Sequence, residues 1–242
     1  MDLQIKDVAE LLNVSEATVK RWMSEGQIPS YRINQRNYFC RTEVENWVIS
    51  HKLEKNETLV NPASSRDADK PSSSSPTLAG GSKQFSLFRA IHKGDVLHDL
   101  KGKNKEEIIR ATMHRVAKIL HADAEVMTDL LLDRENLMPT ALNNGIAVPH
   151  TRDSLLDIHH DIVIVVFTDE PLEYGALDGF PVQTLFFLFA CEDKRHLHLL
   201  AKIAHLSSQI QARDFLYNRP SKGQLLTFVK GWESAMATVG RR

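Results

Sequence analysis

The chain has 242 residues, enough for two domains of ordinary size. Hydrophobic residues make up 42% and charged residues 25%, a mixture that is typical of soluble globular proteins. The formal net charge of −1 excludes a global electrostatic attraction to nucleic acid or membranes, so any such attraction has to be local.

We expect neither a secretory signal nor a membrane span. The first residues, MDLQIKDVAELL, lack a basic segment followed by an apolar one. The longest apolar stretch near the C-terminus, FPVQTLFFLFAC (180–191), is too short to cross a bilayer. Cys40 and Cys191 lie far apart and match no metal-ligand spacing. The sequence therefore predicts a cytoplasmic protein that binds no membrane, no metal and no cofactor.

One segment separates two units of different composition. Residues 61–83 are rich in Ser, Pro, Gly and Asp and contain no aromatic residue. Such a segment cannot bury enough surface to offset the entropy of ordering it, so it predicts a flexible linker. We place this linker at residues 56–84, between a small domain at residues 1–55 and a larger one at residues 85–242.

The first unit is predicted to form two helices, a hairpin and a third helix. Apolar residues follow a helical period from Ile5 to Leu12, and Ser15 is a good N-cap for the next helix, SEATVKRWMSE. Two short extended runs around INQRN predict a small β-wing. RTEVENWVISHKL then restores a helical pattern, with Thr42 as its predicted cap.

The second unit is predicted to alternate helices and strands. Asn104 with Glu107 forms the start of a capping box, and another helix follows Asp123. The continuous apolar runs IVIVVF (162–167) and TLFFLFA (184–190) predict strands that are covered on both faces.

Two more helices complete this unit: a long one from about Asp193 to about Tyr217, and a last one that begins near Pro220. The predicted fold class is α/β: a C-terminal sandwich with helices on both faces of a mixed sheet, preceded by a small winged helix-turn-helix domain.

The stretch NNGIAVPHTR (143–152) singles out one histidine. Pro149 has no N–H and a fixed φ, so it ends the extended run and leaves His150 on a stiff segment. A rigidly held imidazole suits a group that repeatedly meets a partner in one orientation. A plain surface histidine after a strand would give the same pattern.

A second histidine lies on the following long helix. At about 100° per residue, His196 falls among the leucines of the apolar side and His198 falls opposite, toward water. A histidine in an apolar stripe is most often a hydrogen-bonded core residue. Here, however, His196 can join His150, with Arg134 just upstream in LLDRENL.

The chemistry that suits these residues is phosphoryl transfer. Two histidines without a carboxylate or cysteine fall short of a zinc shell, and no G-x-S-x-G motif for a nucleophilic serine occurs. A neutral imidazole nitrogen is a good phosphoryl acceptor, a second imidazole can donate a hydrogen bond to the group, and an arginine can neutralise its charge.

LLDREN, NNGIAVPHTR, EPLEYGALDGFPVQTLFFLFA and HLHLL closely resemble the enzyme IIA domain of the phosphotransferase system. The resemblance is to the mannitol/fructose class and its nitrogen-regulatory branch, and it covers about residues 85–238. It implies that His150 accepts a phosphoryl group on Nε2 from the phosphohistidine of HPr. It further implies that His196 orients and stabilises that group and that Arg134 is its charge partner.

The chain departs from this branch in one loop. The branch usually has T-G-I-G-N-G before the strand, whereas residues 140–145 are TALNNG, so Ala141 and Asn143 replace glycines. Ala141 does not readily adopt the positive φ that glycine allows. We interpret the change as an altered fit to the phosphoryl donor rather than lost chemistry.

The stretch VAELLNVSEATVKRWMSEGQIPSYRINQRNYFCRTEVENWV resembles the excisionase/MerR-type winged helix-turn-helix. The resemblance implies that the helix after Ser15 enters the major groove and that the wing meets the neighbouring backbone. The side chains it implies as DNA contacts are Thr18, Lys20 and Arg21 in the groove and, from the wing, Arg32 and Arg36. Because positive and negative charges nearly balance in residues 1–55, a monomer should bind DNA weakly, so a homodimer is expected if DNA is the target. A protein-interaction module is the alternative.

Together these features predict a phosphocarrier with a regulatory role rather than a turnover enzyme acting on a small molecule. HPr and DNA are the expected partners, with a IIB protein or a regulatory target downstream. One alternative is a sugar-uptake enzyme IIA that passes phosphate to a separate IIB protein. Another is a DNA-binding regulator with a vestigial IIA domain.

Overall fold

The computed structural model describes residues 2–12, 14–33, 36–50, 86–151, 159–176 and 178–239. The predicted linker at residues 56–84 lies outside the described residues, so the domain boundaries stay predictions.

The N-terminal unit combines three helices with a three-stranded sheet. The helices are α1 (Ile5–Leu12), α2 (Glu16–Ser24) and α3 (Arg41–Ser50). The strands are β1 (Asp2–Gln4), β2 (Tyr31–Ile33) and β3 (Arg36–Cys40). Both outer strands pair antiparallel with β3, and the β2–β3 hairpin is the predicted wing.

Of the two N-caps predicted in this unit, one is confirmed and one is wrong. The predicted cap at Ser15 is confirmed, because its Oγ accepts a hydrogen bond from the Thr18 N–H at 3.1 Å. The predicted cap at Thr42 is wrong. The helix α3 begins at Arg41, directly after β3, so Thr42 already lies within its first turn.

The C-terminal unit is a four-stranded mixed sheet between helices. Its helices are α4 (Ser86–Lys93), α5 (Lys105–Leu120), α6 (Ala124–Leu137), α7 (Asp193–Ser207), α8 (Ile210–Tyr217) and α9 (Lys222–Val239). Its strands are β4 (Val96–Leu100), β5 (Ile146–Ala147), β6 (Ile162–Leu172) and β7 (Val182–Phe189). The order is β4-β6-β7-β5, with β6 and β7 antiparallel and the outer strands parallel to their neighbours.

The two central strands carry apolar side chains on both faces, which explains their continuous apolar sequences. Val163 and Val165 of β6 face the core that α4, α7, α8 and α9 cover. Ile162 and Ile164 face the core that α5 and α6 cover. The predicted sandwich with helices on both faces is therefore confirmed. Within the described residues, none of the helices has both the length and the apolar character needed to span a bilayer.

The predicted cap at Asn104 is confirmed, and the helix predicted to follow Asp123 begins there with Asp123 as its cap. The Asn104 side chain accepts from the Glu107 N–H at 2.9 Å, and Asp123 accepts from two N–H groups of the following turn.

The single long helix predicted from Asp193 to Tyr217 is wrong, since α7 ends at Ser207 and α8 begins at Ile210. The hydroxyl groups of Ser207 and Ser208 donate to carbonyl groups three residues earlier, a local bond that competes with continued helix.

The sequence analysis missed α4 and β4, which are short. Gly94 joins them, and a side chain there would collide with the carbonyl oxygen of Val163 in β6. The glycine therefore allows β4 to begin against its neighbour in the sheet.

Candidate functional site

His150 lies where the chain runs past the end of β5 along β7. The Leu188 N–H donates to the Pro149 carbonyl at 3.0 Å, and His150 forms an isolated parallel bridge with Leu188. The side chain is 0% exposed. The structure thus contradicts the interpretation of His150 as a plain surface histidine and holds it rigidly at the sheet.

One hydrogen bond fixes which ring nitrogen of His150 carries the proton. Nδ1 lies 2.7 Å from the carbonyl oxygen of Val148. Since a carbonyl oxygen only accepts, Nδ1 must be the donor, and Nε2 of a neutral ring then keeps its lone pair. Nε2 is therefore the basic nitrogen of the neutral ring.

His196, in the first turn of α7, lies against this ring. The two ring centroids are 5.1 Å apart and the planes are inclined at 59°. His196 is 5% exposed and points toward the sheet, as the helical wheel predicted. The expectation that His198 faces water is wrong, because its Nε2 lies 3.1 Å from Ser86 Oγ at the start of α4.

The environment keeps His196 neutral near pH 7. Burial lowers the pKa of His196 well below its ordinary value, and its interactions with the neighbouring His150 ring and with the positive charges of Arg41 and Arg134 lower it further. The 3.5 Å approach of His196 Nε2 to Glu45 Oε1 is therefore a contact between a neutral imidazole and a carboxylate, not an ion pair.

Arg134 stands in the last turn of α6 and is 2% exposed. Its Nη1 donates to the Met138 carbonyl at 2.9 Å, and its Nη2 donates to Asn46 Oδ1 at 3.2 Å. These bonds fix the guanidinium, and its effect on His196 places its charge near the two rings. The structure thus brings together all three predicted residues of the phosphoryl site.

Residues of α3 also belong to this cluster, and the sequence analysis missed them. Glu45 is 1% exposed, and its Oε1 lies 3.1 Å from Arg41 Nε. The helix buries Val44, Glu45, Trp47, Val48 and Ile49. That arc is wider than the single face a small domain needs. The width of the apolar stripe in the sequence was the available signal that α3 packs on two surfaces.

The cluster contains a possible set of metal ligands. One ligand atom each from Glu45, His150 and His196 lies within 4.8 Å of the others. Two imidazoles and a carboxylate are ligands that zinc accepts, and the sequence analysis had counted only the histidines. Arg41 and Arg134 act on His196 with positive charge, however, so these surroundings favour an anion over a divalent cation.

Glu135, next to Arg134, supports the segment beside His150. It is 1% exposed and accepts hydrogen bonds from both the N–H and the hydroxyl of Thr140. Burial raises the pKa of Glu135 and raises that of Tyr174. The Thr140 carbonyl in turn accepts from the Val148 N–H at 3.0 Å. Glu135 therefore positions the chain that leads to His150.

The loop before β5 is not strained by its lost glycines. Neither Ala141 nor Asn143 has positive φ; the positive values belong to Asn144 (63°) and Gly145 (73°). Asn144 is held at its backbone N–H by Asp178 and at its side chain by the Ser207 carbonyl. Ala141 can therefore replace glycine here without strain, since its backbone does not need the conformation that favours glycine.

The candidate DNA contacts lie on a different surface. Lys20, Arg21, Arg32 and Arg36 are exposed, whereas Thr18 is partly buried and shares a 2.9 Å hydrogen bond with Ser15 Oγ. Ala17 is also exposed, because Val19 and Trp22 fill the side of α2 that faces α1. Among the helices of the N-terminal unit, α1 and α3 make the main contacts with α7.

Comparisons with known proteins agree with both units. The family model described as phosphoenolpyruvate-dependent sugar phosphotransferase system, EIIA 2, matches residues 89–231, and a helix-turn-helix domain model matches residues 3–52. The chain is 34% identical over 146 residues to the nitrogen regulatory protein of Pseudomonas aeruginosa, covering 59% of this chain and 94% of that one.

It is also 24% identical over 140 residues to the mannitol-specific phosphotransferase enzyme IIA component of Geobacillus stearothermophilus, covering 57% and 94% of the two chains. The crystal structure of the nitrogen regulatory protein IIA-Ntr from Neisseria meningitidis matches with a TM-score of 0.51 and 25% identity, over 57% and 93%. These matches confirm the two resemblances and the fold class.

Proposed function

Because the chain belongs to the EIIA type 2 family of the phosphoenolpyruvate-dependent sugar phosphotransferase system and carries a helix-turn-helix domain, we propose that it is a phosphohistidine-carrying regulatory protein. In this proposal His150 accepts a phosphoryl group from an HPr-type carrier, and the N-terminal domain couples that event to transcription. The observation that supports it is the lone pair of His150 Nε2, held beside a neutral second imidazole and a fixed guanidinium.

The transfer uses these residues in distinct roles. His150 Nε2 attacks the phosphorus, and the P–N bond to the donor imidazole breaks with its electron pair returning to that ring. The phosphorylated His150 ring then carries positive charge, which the Val148 carbonyl stabilises through Nδ1–H. His196 donates a hydrogen bond to a phosphoryl oxygen, and Arg134 neutralises charge that spreads over these oxygens.

The test is phosphorylation by purified enzyme I, HPr and labelled phosphoenolpyruvate. We expect an acid-labile label on the wild-type chain, its loss in His150→Ala and its retention in His159→Ala, a variant of an exposed histidine. An unlabelled wild type, or a label that persists in His150→Ala, contradicts the proposal.

DNA binding is the second part of the proposal. It is supported by the helix-turn-helix match and by basic side chains that stay exposed on α2 and the wing. Such side chains would neutralise phosphates on either side of one groove. We propose that a dimer is the binding form, because the balanced charge of the domain gives one copy little electrostatic affinity.

The likeness to a mannitol-specific enzyme IIA component favours one alternative, a carrier that serves sugar uptake. This alternative keeps the chemistry of His150 and changes only the next acceptor. Transfer of the label from the phosphorylated chain to a IIB protein of the same organism would support it. A chain that binds DNA and accepts no label would instead be a regulator with a vestigial IIA domain.

A further inference from the structure

The helix α3 of the N-terminal unit lies over the histidine pair. His150 is 0%, His196 is 5% and Glu45 is 1% exposed. Two polar contacts from α3 reach the site, Glu45 to His196 at 3.5 Å and Asn46 to Arg134 at 3.2 Å. A third contact, Lys194 Nζ to Asp7 Oδ1 at 3.0 Å, joins α7 to α1 at the rim. The N-terminal domain therefore covers the residues that a phosphoryl donor must reach.

We propose that docking of the N-terminal domain through α1 and α3 and phosphorylation of His150 exclude each other, with the Glu45 carboxylate standing where the phosphoryl group would lie. This inference rests on the proposed function of His150 as phosphoryl acceptor. It adds a regulatory partner for that site: the chain's own helix-turn-helix domain, which competes with the phosphoryl donor for one face.

The steric part of the argument follows from the burial of the acceptor. In-line transfer needs the donor phosphorus within about 3–3.5 Å of Nε2. A protein donor also needs a contact area of its own, on the order of 800 Å² per partner. Because His150 is buried in the docked form, a protein donor can contact it over such an area only after α3 has moved away from the site. Docking therefore slows transfer from a protein donor.

The electrostatic part acts after transfer. The Glu45 carboxylate contacts His196 and is paired with Arg41 in the docked form. A phosphoryl group on His150 adds nearly two negative charges in the same buried cluster. Like charges without water between them repel strongly, so Glu45 and the new group do not share this space. Phosphorylation therefore prevents α3 from docking again.

The DNA-facing surface is not the surface that docks. Lys20 and Arg21 on α2 and the basic residues of the wing are exposed while α1 and α3 pack on α7. Release of α1 and α3 from α7 would therefore leave the DNA-facing surface unchanged. It would alter only the attachment of the N-terminal domain to the C-terminal domain of the same chain. For a dimeric regulator, that attachment sets the relative placement of the two reading helices.

The first test measures access to His150 without any phosphotransferase component, using carbethoxylation by diethyl pyrocarbonate and peptide mass spectrometry. The exposed His159 and His160 are internal references in the same full-length chain. In the wild type we expect His150 to react at least about tenfold more slowly than the references. Reaction of His150 at the rate of the references overturns the docking.

Two variants then open the interface from different sides. Asn46→Arg places a second guanidinium against Arg134, and Lys194→Glu places a carboxylate against Asp7 and Glu10. Both should raise the reactivity of His150 several-fold, more in Asn46→Arg, whereas Lys194→Arg, which keeps the charge, should not. The near-ultraviolet circular dichroism of the Trp22–Trp47 pair reports whether the N-terminal domain stays folded. Unchanged reactivity in both folded variants contradicts the inference.

The second test adds enzyme I, HPr and phosphoenolpyruvate. We expect Asn46→Arg to take up label at least several-fold faster than the wild type, and the radius of gyration from small-angle scattering to increase when the wild type is phosphorylated. Equal labelling rates with an unchanged radius of gyration overturn the inference and leave the proposed function standing. An absence of label in every variant, with His150 accessible in Asn46→Arg, overturns the proposed function and with it the exclusion.

Discussion

The rings of His150 and His196 meet at 59° with their centroids 5.1 Å apart, although the two residues come from a strand end and a helix start that are distant in sequence. The tilt suits complementary roles rather than stacking, since each ring can direct a nitrogen edge at one shared group. His150 donates from Nδ1 to the carbonyl of Val148, so Nε2 is the basic nitrogen of its neutral ring. His196 is neutral, so its ring has one N–H with which it can donate a hydrogen bond.

This arrangement predicts the effect of removing His196. In His196→Ala we expect labelling by HPr to slow by about 10- to 100-fold, the equivalent of one hydrogen bond to a charged group. The acceptor itself remains, so label should still reach His150. Initial rates with His198→Ala, from the same helix but outside the site, provide the control. A rate equal to the wild type would assign His196 a purely structural role.

The support beneath the acceptor predicts a stability effect at Glu135. Glu135→Ala leaves the hydroxyl and the N–H of Thr140 without their acceptor inside the protein. We expect a loss of about 2–4 kcal/mol in the free energy of unfolding, measured in urea. Glu135→Gln keeps one acceptor oxygen and should lose less. Similar losses in the two variants would contradict a role based on hydrogen bonding.

Local patterns in the sequence were enough for part of the C-terminal unit. The cap at Asn104, the helix after Asp123 and the two central apolar runs depend on near neighbours, and the structure has them where the sequence predicted. The helical wheel also placed His196 on the buried side, because that arc is set by the helix alone. Where competing local bonds decided the outcome, as at Ser207 and Ser208, the prediction of one long helix was wrong.

The sequence did not allow us to predict that α3 contributes residues to the histidine site. Glu45 is buried by a contact between the two units. The sequence of the segment that connects them does not indicate how the units are placed relative to each other. A charged residue within a small helix is ordinarily solvated, so its pattern gives no reason to place it beside histidines a hundred residues away. The loop at Ala141 shows the same limit, since the positive φ values fall at Asn144 and Gly145.

The neutral state of His196 predicts a dependence on pH. Burial lowers its pKa in the docked chain, so a chain in which the His196 ring is more exposed binds the proton first as the solution is acidified. The contribution of His196 to docking is therefore present above the pKa of the more exposed ring and is lost progressively below it. The groups that face it are His150, Glu45, Arg41 and Arg134.

We expect His196 in the wild type to stay neutral by NMR titration at a pH where the exposed His159 and His160 are half protonated. Carbethoxylation of His150 then reports docking, compared between pH 7.5 and pH 5.5 relative to the same two histidines to cancel the reagent's own pH dependence. Access to His150 should rise on acidification, and less so in His196→Gln. A His196 that titrates together with the exposed histidines would contradict this prediction.

The charge of Glu45 predicts a separate effect on release. Glu45→Gln keeps the size of the side chain and removes the charge that would repel a phosphoryl group. The phosphorylated variant should therefore show a smaller increase in radius of gyration than the phosphorylated wild type. Glu43→Gln, an exposed change on the same helix, is the matched control. An increase in Glu45→Gln as large as in the wild type would mean that steric exclusion alone separates the domains.

The exposed basic residues of the N-terminal domain predict how its DNA binding responds to substitution and salt. Lys20→Ala and Arg36→Ala each remove one positive charge from α2 or the wing without disturbing a buried contact. Each should weaken binding and reduce the slope of log affinity against log salt by about one, as expected for one lost phosphate contact. Fluorescence anisotropy with a genomic fragment from the upstream region of the gene measures both quantities, and Lys118→Ala, an exposed residue of α5, is the control. If Lys20→Ala and Arg36→Ala leave this slope unchanged, these residues do not contact DNA. That result would favour a domain that binds protein instead.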